Sequence, residues 1–320
     1  MSILATVKLI KTIKLNMKRT ILSLSFLLIP GLVFSQQDPQ FSQNMFNKLA
    51  NNPGYAGSNQ AICATMLHRS QWMGFEGAPK TLNLSVDAGI PAIHGGVGLN
   101  IVKDEIGYGG SLGLQFTYAY RTDLGAGQLG AGLSLGMLQS GLDGSELNPA
   151  EPDPYLPDGD VKGSKMDFGF GVYYNTQDVY IGLSSSHLTA PEIEWTEGSK
   201  LIHYQTARHY FLIAGYAHEL NPMFTLNPSI YLKSDGSSSQ LDINTNVLYD
   251  NKLWGGVSYR LDEGLIALLG MHINDDLKFG IAYDVVMSEI GKNSLEFMLG
   301  YCFKVSYDRP MKSYKNPRFL

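Results

Sequence analysis

The sequence predicts an all-β chain closed into an antiparallel transmembrane β-barrel of about fourteen strands. Three observations predict it. Polarity alternates with period two along most of the chain, which is the pleat of a strand with two unlike faces. Many of the alternating segments have the ~9–11 residues that a tilted strand needs to cross a bilayer. The links between segments fall into a long class and a short class that alternate along the chain, as in outer-membrane barrels.

Residues 1–35 read as a secretory signal peptide. Met17, Lys18 and Arg19 supply the positive start, Ile21 to Ile29 the apolar run, Pro30 and Gly31 the helix break, and Val33 and Ser35 the small residues before a cut. Met1 to Asn16 is odd for a signal, and Met17 is a second candidate start. A buried helix or a membrane anchor is the competing reading. The apolar stretch ends by Phe34 and holds Pro30, so it is too short to be a spanning helix.

Residues 36–60 show no alternation and are rich in Asn, Gln, Phe and Pro. Polar amides with a few aromatics suit a barrel's polar lumen. One expectation is a plug that enters from the side on which the first strand starts, with Phe41, Phe46 and Tyr55 as its contacts. A disordered periplasmic leader is the alternative.

The barrel is expected over residues 61–305. Its segments are 61–69, 80–88, 95–103, 110–121, 128–140, 165–175, 178–187, 207–218, 223–233, 239–249, 252–261, 265–274, 277–287 and 294–305. Along 277–286, for example, Leu277, Phe279, Ile281, Tyr283 and Val285 share one face, and Lys278, Gly280, Ala282 and Asp284 the other. A soluble sandwich would also alternate, but it buries its apolar face against a second sheet. Against that reading stand the strand lengths, the link parity and aromatics near strand ends that fit interface girdles. Those aromatics are Trp72, Tyr108, Tyr120, Tyr174, Tyr180, Trp195, Tyr210 and Trp254.

The long links are 70–79, 141–164 and 188–206; short ones are 89–94, 122–127, 176–177, 219–222, 251 and 275–276. If the first strand starts in the periplasm, the short turns are periplasmic and both termini lie there. The link 262–264 is short where a long one is allowed. Residues 306–320 form a basic tail with Arg309, Lys312, Lys315 and Arg318, either solvated or docked to an acidic periplasmic partner.

Composition narrows the function. With 24 basic and 29 acidic residues and a net charge of −5, the chain gives no electrostatic case for nucleic-acid binding. Cys63 and Cys302 lie near the first and last strands, which meet when a barrel closes. A disulfide is one reading, and two inert thiols the preferred one.

No metal or cofactor is expected. The seven histidines show no close pairing at ligand spacing, and His203 and His209 lie six residues apart across a link-to-strand boundary. Gly95 to Gly98 and Gly125 to Gly132 lack the strand–loop–helix context of a phosphate loop and read as relief of crowding inside the wall. Ser184, Ser185, Ser186 and His187 invite a hydrolase reading, but neighbours in a strand point to opposite faces. No catalytic residue is expected. The acidic residues Glu146, Glu151, Asp153, Asp158 and Asp160 read as a solvated loop, with an oxygen-ligand cation site as the alternative.

Three stretches carry a family resemblance. The first is Gln37-Asp38-Pro39-Gln40-Phe41-Ser42-Gln43, continuing through Met45-Phe46-Asn47 to Asn52-Pro53-Gly54-Tyr55-Ala56-Gly57. The second is Arg69-Ser70-Gln71-Trp72-Met73-Gly74-Phe75-Glu76-Gly77-Ala78-Pro79-Lys80-Thr81, and the third Asn316-Pro317-Arg318-Phe319-Leu320. Together they resemble the PorP/SprF family of type IX secretion system outer-membrane proteins. The first two are specific in order and spacing, and Lys48 departs from a frequent family Pro.

The resemblance implies a non-enzymatic outer-membrane component that helps export a secreted protein or hold it at the cell surface, with a link to gliding motility in some members. It implies as partners a secreted substrate or surface protein, periplasmic or lipoprotein components of the machinery, and outer-membrane lipid. If residues 36–60 enter from the periplasm, Trp72 and Phe75 belong to the first outside loop and either fold inward or face a partner. A diffusion channel or substrate-specific transport barrel is the competing function.

Overall fold

The computed structural model describes residues 38–59, 61–147, 156–197, 200–287 and 292–303. The expected signal segment and basic tail lie outside them, as do both chain ends and Glu151 and Asp153 of the acidic loop.

Each segment read from the sequence carries a strand. They are β1 (Ile62–Ser70), β2 (Lys80–Ile90), β3 (Gly95–Ile106), β4 (Gly109–Leu124), β5 (Gly127–Asp143), β6 (Asp160–Asn175) and β7 (Val179–Ser186). After a small hairpin, β8 (Glu192–Glu197) and β9 (Lys200–Gln205), come β10 (His209–Tyr216), β11 (His218–Asn221), β12 (Phe224–Ser234), β13 (Ser239–Tyr249), β14 (Leu253–Arg260), β15 (Gly264–His272), β16 (Leu277–Val286) and β17 (Ser294–Phe303). All pair antiparallel with sequence neighbours. β10 bridges β7 and β12, and β17 returns to β1. β11 continues the course of β10 past Ala217 along β12, so the closed wall has 14 strands.

The two faces are inverted relative to a soluble protein. Inward positions hold Asn83, Ser85, Asp87, Asn100, Thr117, Asp167, Asp242, Asn244, Asp284 and Glu296, all buried. Outward positions hold Leu133, Phe116, Leu183, Val257, Leu269 and Phe297, all exposed. An apolar exterior around a polar interior is favourable only where lipid surrounds the wall, and closure leaves no strand edge unpaired in that medium. No helix among the described residues is long and apolar enough to cross a membrane.

Closure also settles the cysteines. Cys63 and Cys302 stand opposite each other in the β1–β17 register and form a disulfide. The preference for two free thiols is therefore corrected. Sequence proximity to the first and last strands did not give the register that brings them face to face.

Two further corrections concern aromatics and a link. Tyr108, Tyr120 and Tyr210 do face outward. Trp254 instead faces the lumen at 3% exposure, because its position in the alternation sets it over Gly270 and, one strand further, Gly280. Tyr180 also turns inward, packing near Tyr173. Trp195 belongs to neither girdle. It sits in the β8–β9 hairpin, packed with Ile193 on Val161 of β6. That hairpin lies in a stretch read from sequence as a plain link, and it forms its own two-stranded sheet.

At one end of the wall lie link 71–79 and the described residues of the links that join β5 to β6, β7 to β10 and β16 to β17, with shorter ones at 107–108, 235–238 and 261–263. At the other end every link is short: 91–94, 125–126, 176–178, 222–223, 250–252 and 273–276. These are called the long-loop end and the short-turn end.

Candidate functional site

Residues 38–59 run through the lumen along its length. They carry only two short 3₁₀ turns, Asn44–Phe46 and Pro53–Tyr55. Their polar groups therefore find partners on the wall, as buried backbone must. The residues that Asp38 meets, His187, Ser186 and Lys233, all lie at the long-loop end. Gly57 donates to Asp87 near the opposite rim at 2.8 Å, and β1 starts from there. The segment thus descends from the long-loop end, the reverse of the entry expected from sequence.

The first contact is a clasp of ions. His187 Nε2 lies 2.8 Å from Asp38 Oδ1, and His187 Nδ1 lies 2.9 Å from Asp167 Oδ2. Burial opposes charge on this imidazole, but the two carboxylates outweigh it and lift its pKa to about 10. Burial likewise opposes the Asp38 charge, and His187, with help from His209 and Lys233, holds its carboxyl well below the usual carboxylate range. The Asp38 N–H donates to His209 Nε2 at 3.2 Å, and His209 Nδ1 meets the Ala207 carbonyl at 3.1 Å, which fixes the neutral tautomer.

Asp38, His187 and His209 bring ligand-type atoms within 4.8 Å of one another, a grouping the sequence spacing did not show. Their atoms are already engaged: both His187 nitrogens face carboxylates, and both His209 nitrogens face backbone groups. The cluster is a charge-assisted clasp on the segment and has no ring nitrogen free to ligate a metal.

It also corrects the argument used against a Ser–His pair. Ser186 ends β7, and His187 takes φ 51, so strand alternation stops between them. Both side chains converge on Asp38, Ser186 through its hydroxyl at 3.2 Å. Ser184 is spent on the Asn51 carbonyl. Among the described contacts neither serine meets His187.

Below the clasp lies a buried charge network beside the β1–β17 seam. Arg69 reaches Asp284 at 2.7 Å and Glu296 at 3.5 Å, and Arg260 holds Asp242 with two contacts of 3.0 Å. The segment is tied into it. Ser42 and Gln43 donate backbone N–H groups to Glu296 at 2.7 and 2.9 Å, and the Ser42 hydroxyl donates to Asp284 at 2.8 Å. Asn44 and Gln40 reach Asp242. Such ions stay in the interior because each is paired and hydrogen-bonded.

Apolar contacts alternate with these. Phe41, at 6% exposure, sits in a cluster with Leu67, Trp254, Ile266, Leu268 and Met298. Burying one such ring is worth ~1.5–3 kcal/mol. Phe46 lies 4.4 Å from the Trp254 ring, and Tyr55 meets Tyr173 edge-on at 5.2 Å. Asn47 joins Asn83 and Ser85, and Asn52 donates to the carbonyls of Val172 and Leu183.

The turn at Pro53–Gly54 lies directly on wall backbone. A Cβ at Gly132 would collide with the Pro53 carbonyl, and one at Gly130 with that of Gly54. Glycine permits that approach.

The structure therefore gathers Phe41, Phe46 and Tyr55 in the lumen and leaves Trp72 and Phe75 outside it. Trp72 sits in the β1–β2 link with φ 49, its N–H donating to Ser294 Oγ at 3.2 Å. Phe75 is 59% exposed at the long-loop end. Sequence reasoning missed His187, His209 and Arg69 as partners of the segment, and Asp167 and Arg260 as the wall residues that support those contacts. The signal present was charge on the inward phase of alternating strands, as at Asp242, Asp284 and Glu296.

Two comparisons found matches. A model of the family described as type IX secretion system membrane protein PorP/SprF matches residues 33–301. Among solved structures, the CymD monoaromatic hydrocarbon channel is 12% identical with a TM-score of 0.47, over 84% of this chain and 94% of that one. The Ralstonia pickettii toluene transporter TbuX is 12% identical with a TM-score of 0.46, over 83% and 94%. The KdgM porin is 12% identical with a TM-score of 0.38, over 76% and 99%. No curated protein matches the chain.

Proposed function

Since the chain belongs to the type IX secretion system membrane protein PorP/SprF family, we propose that it is a non-enzymatic outer-membrane station that helps export a secreted partner or hold it at the cell surface. The carrying observation is the threaded lumen. Residues 38–59 thread it from end to end through charged, amide and aromatic contacts, so they serve as a plug. A plugged barrel works through its surfaces. The long-loop end offers exposed Met73, Phe75 and Tyr108, which suit a protein partner better than water. In this reading the short turns face the periplasm and other components of the machinery, and export of a cell-surface partner is the link to gliding.

Affinity purification from native membranes tests it. A secreted or machinery protein should accompany the chain and be lost from the Phe75→Ser/Met73→Ser/Tyr108→Ser variant. A chain that purifies alone and conducts ions freely is a diffusion channel instead.

A further inference from the structure

We infer that the mouth at the short-turn end is a binding site for an organic anion, a carboxylate carried on an apolar or aromatic body. A cavity of about 450 Å³ opens there, lined by both the luminal segment and the wall. That is within the ~300–1,000 Å³ of typical ligand pockets. Lys48 of the segment and Lys278 of β16 both reach it.

Their surroundings set these two lysines apart from the other cations of the lumen. Arg69 and Arg260 pair with carboxylates, Arg121 contacts the Gly54 carbonyl and Asn175, and Lys233 donates to the Asp38 carbonyl. Lys48 and Lys278 have neither a carboxylate partner nor a hydrogen bond among the described residues. They rest on rings instead. Lys48 Nζ lies 3.8 Å from the Tyr180 centroid and 5.9 Å from that of Tyr55, and Lys278 Nζ lies 5.5 Å from that of Phe46.

Two half-buried ammonium groups sharing one cavity repel each other, and unpaired buried charge is costly. Asp178 is the one acid lining the cavity, and it is exposed on the rim turn; Asp87 acts on Lys278 from outside the lining, where it accepts the Gly57 N–H and forms no ion pair with either lysine. An incoming carboxylate supplies the missing counter-charge, and the aromatic faces of Tyr180, Tyr55 and Trp254 suit its apolar body. The site stands apart from the secretion role, since it rests on the cavity and its cations alone.

Calorimetric titration of the full chain in detergent tests it, with two probes for the two sources of such a group. Indole-3-acetate represents a free small molecule, and the tripeptide Ala-Phe-Phe a chain-terminal carboxylate. Each is paired with its amide. At least one acid should bind while its amide does not, and the tighter acid identifies the source. Lys48→Gln and Lys278→Gln should each weaken binding roughly ten- to a hundredfold, the value of a hydrogen bond to a charged group. Lys252→Gln, an exposed lysine elsewhere on this rim, should not. Lys48 lies outside the strands, so Lys48→Gln carries the test if Lys278→Gln fails to fold. Equal titration by acid and amide, no binding by either acid at millimolar concentration, or unchanged affinity in Lys48→Gln overturns the inference.

Discussion

His187 Nε2 lies 2.8 Å from the carboxylate of Asp38, the contact that holds the upper end of the luminal segment. Asp167 faces the same imidazole from the wall, and His209 and Lys233 face Asp38. Its dependence on pH follows from the two shifts. The His187 pKa is raised from 6.5 to about 10, so its contribution is whole below 6.5 and lost as pH rises through about 10. The Asp38 pKa is lowered, so its contribution is whole above 3.8 and lost as pH falls below that value. Protease nicking between Asp38 and Asn51 should therefore be slowest from roughly pH 4 to 6.5, rise steadily from there to about pH 10, and rise again below pH 4. His187→Gln should remove the alkaline rise. An unchanged alkaline limb in that variant would place the pH response elsewhere.

Arg69→Met should destabilise the barrel by about 3–5 kcal/mol, because it leaves Asp284 and Glu296 buried with one cation fewer. The unfolding midpoint in detergent reads this directly. Arg69→Met with Asp284→Leu should lose less than Arg69→Met alone, since the orphaned carboxylate goes with its partner.

Gly132→Val should displace the Pro53–Gly54 turn, which has no room for a side chain there, and so loosen the segment without unpairing β5. Faster proteolysis near Asn52 is the readout. Gly113→Ala, where the nearest atoms lie 3.9 Å from a new Cβ, is the matched substitution expected to change nothing.

Reducing the Cys63–Cys302 bond should lower stability by ~5 kcal/mol in a chain-entropy account, since it closes a loop with a sequence separation of 239. Unfolding of the native chain with and without reductant measures the difference, and the Cys63→Ser/Cys302→Ser variant, which reductant should leave unchanged, is the control.

Much of the wall was legible because a barrel strand shows a different chemistry on each face. Leu295, Phe297, Leu299 and Tyr301 alternate with Glu296, Met298 and Gly300, and β17 follows. What faces what was less legible. Trp254 has the same aromatic character whether it lies in lipid or over Gly270. Only the alternation phase and the cross-strand register decide, and the register is a property of pairing.

The clasp was hidden for a similar reason. His187 and His209 are brought together by β7 pairing with β10, across a link whose hairpin alternates only over the short run Glu192-Ile193-Glu194-Trp195. The luminal segment was readable as polar and non-strand, but its direction depended on where Asp38 finds a cation.

Planar-bilayer conductance of the purified chain tests the central claim, that residues 38–59 close the lumen. The intact chain should show no sustained conductance. A chain lacking Asp38 to Tyr55 should show stable open channels, provided it retains the Cys63–Cys302 bond as evidence of a closed wall. Equal conductance in the two would contradict it.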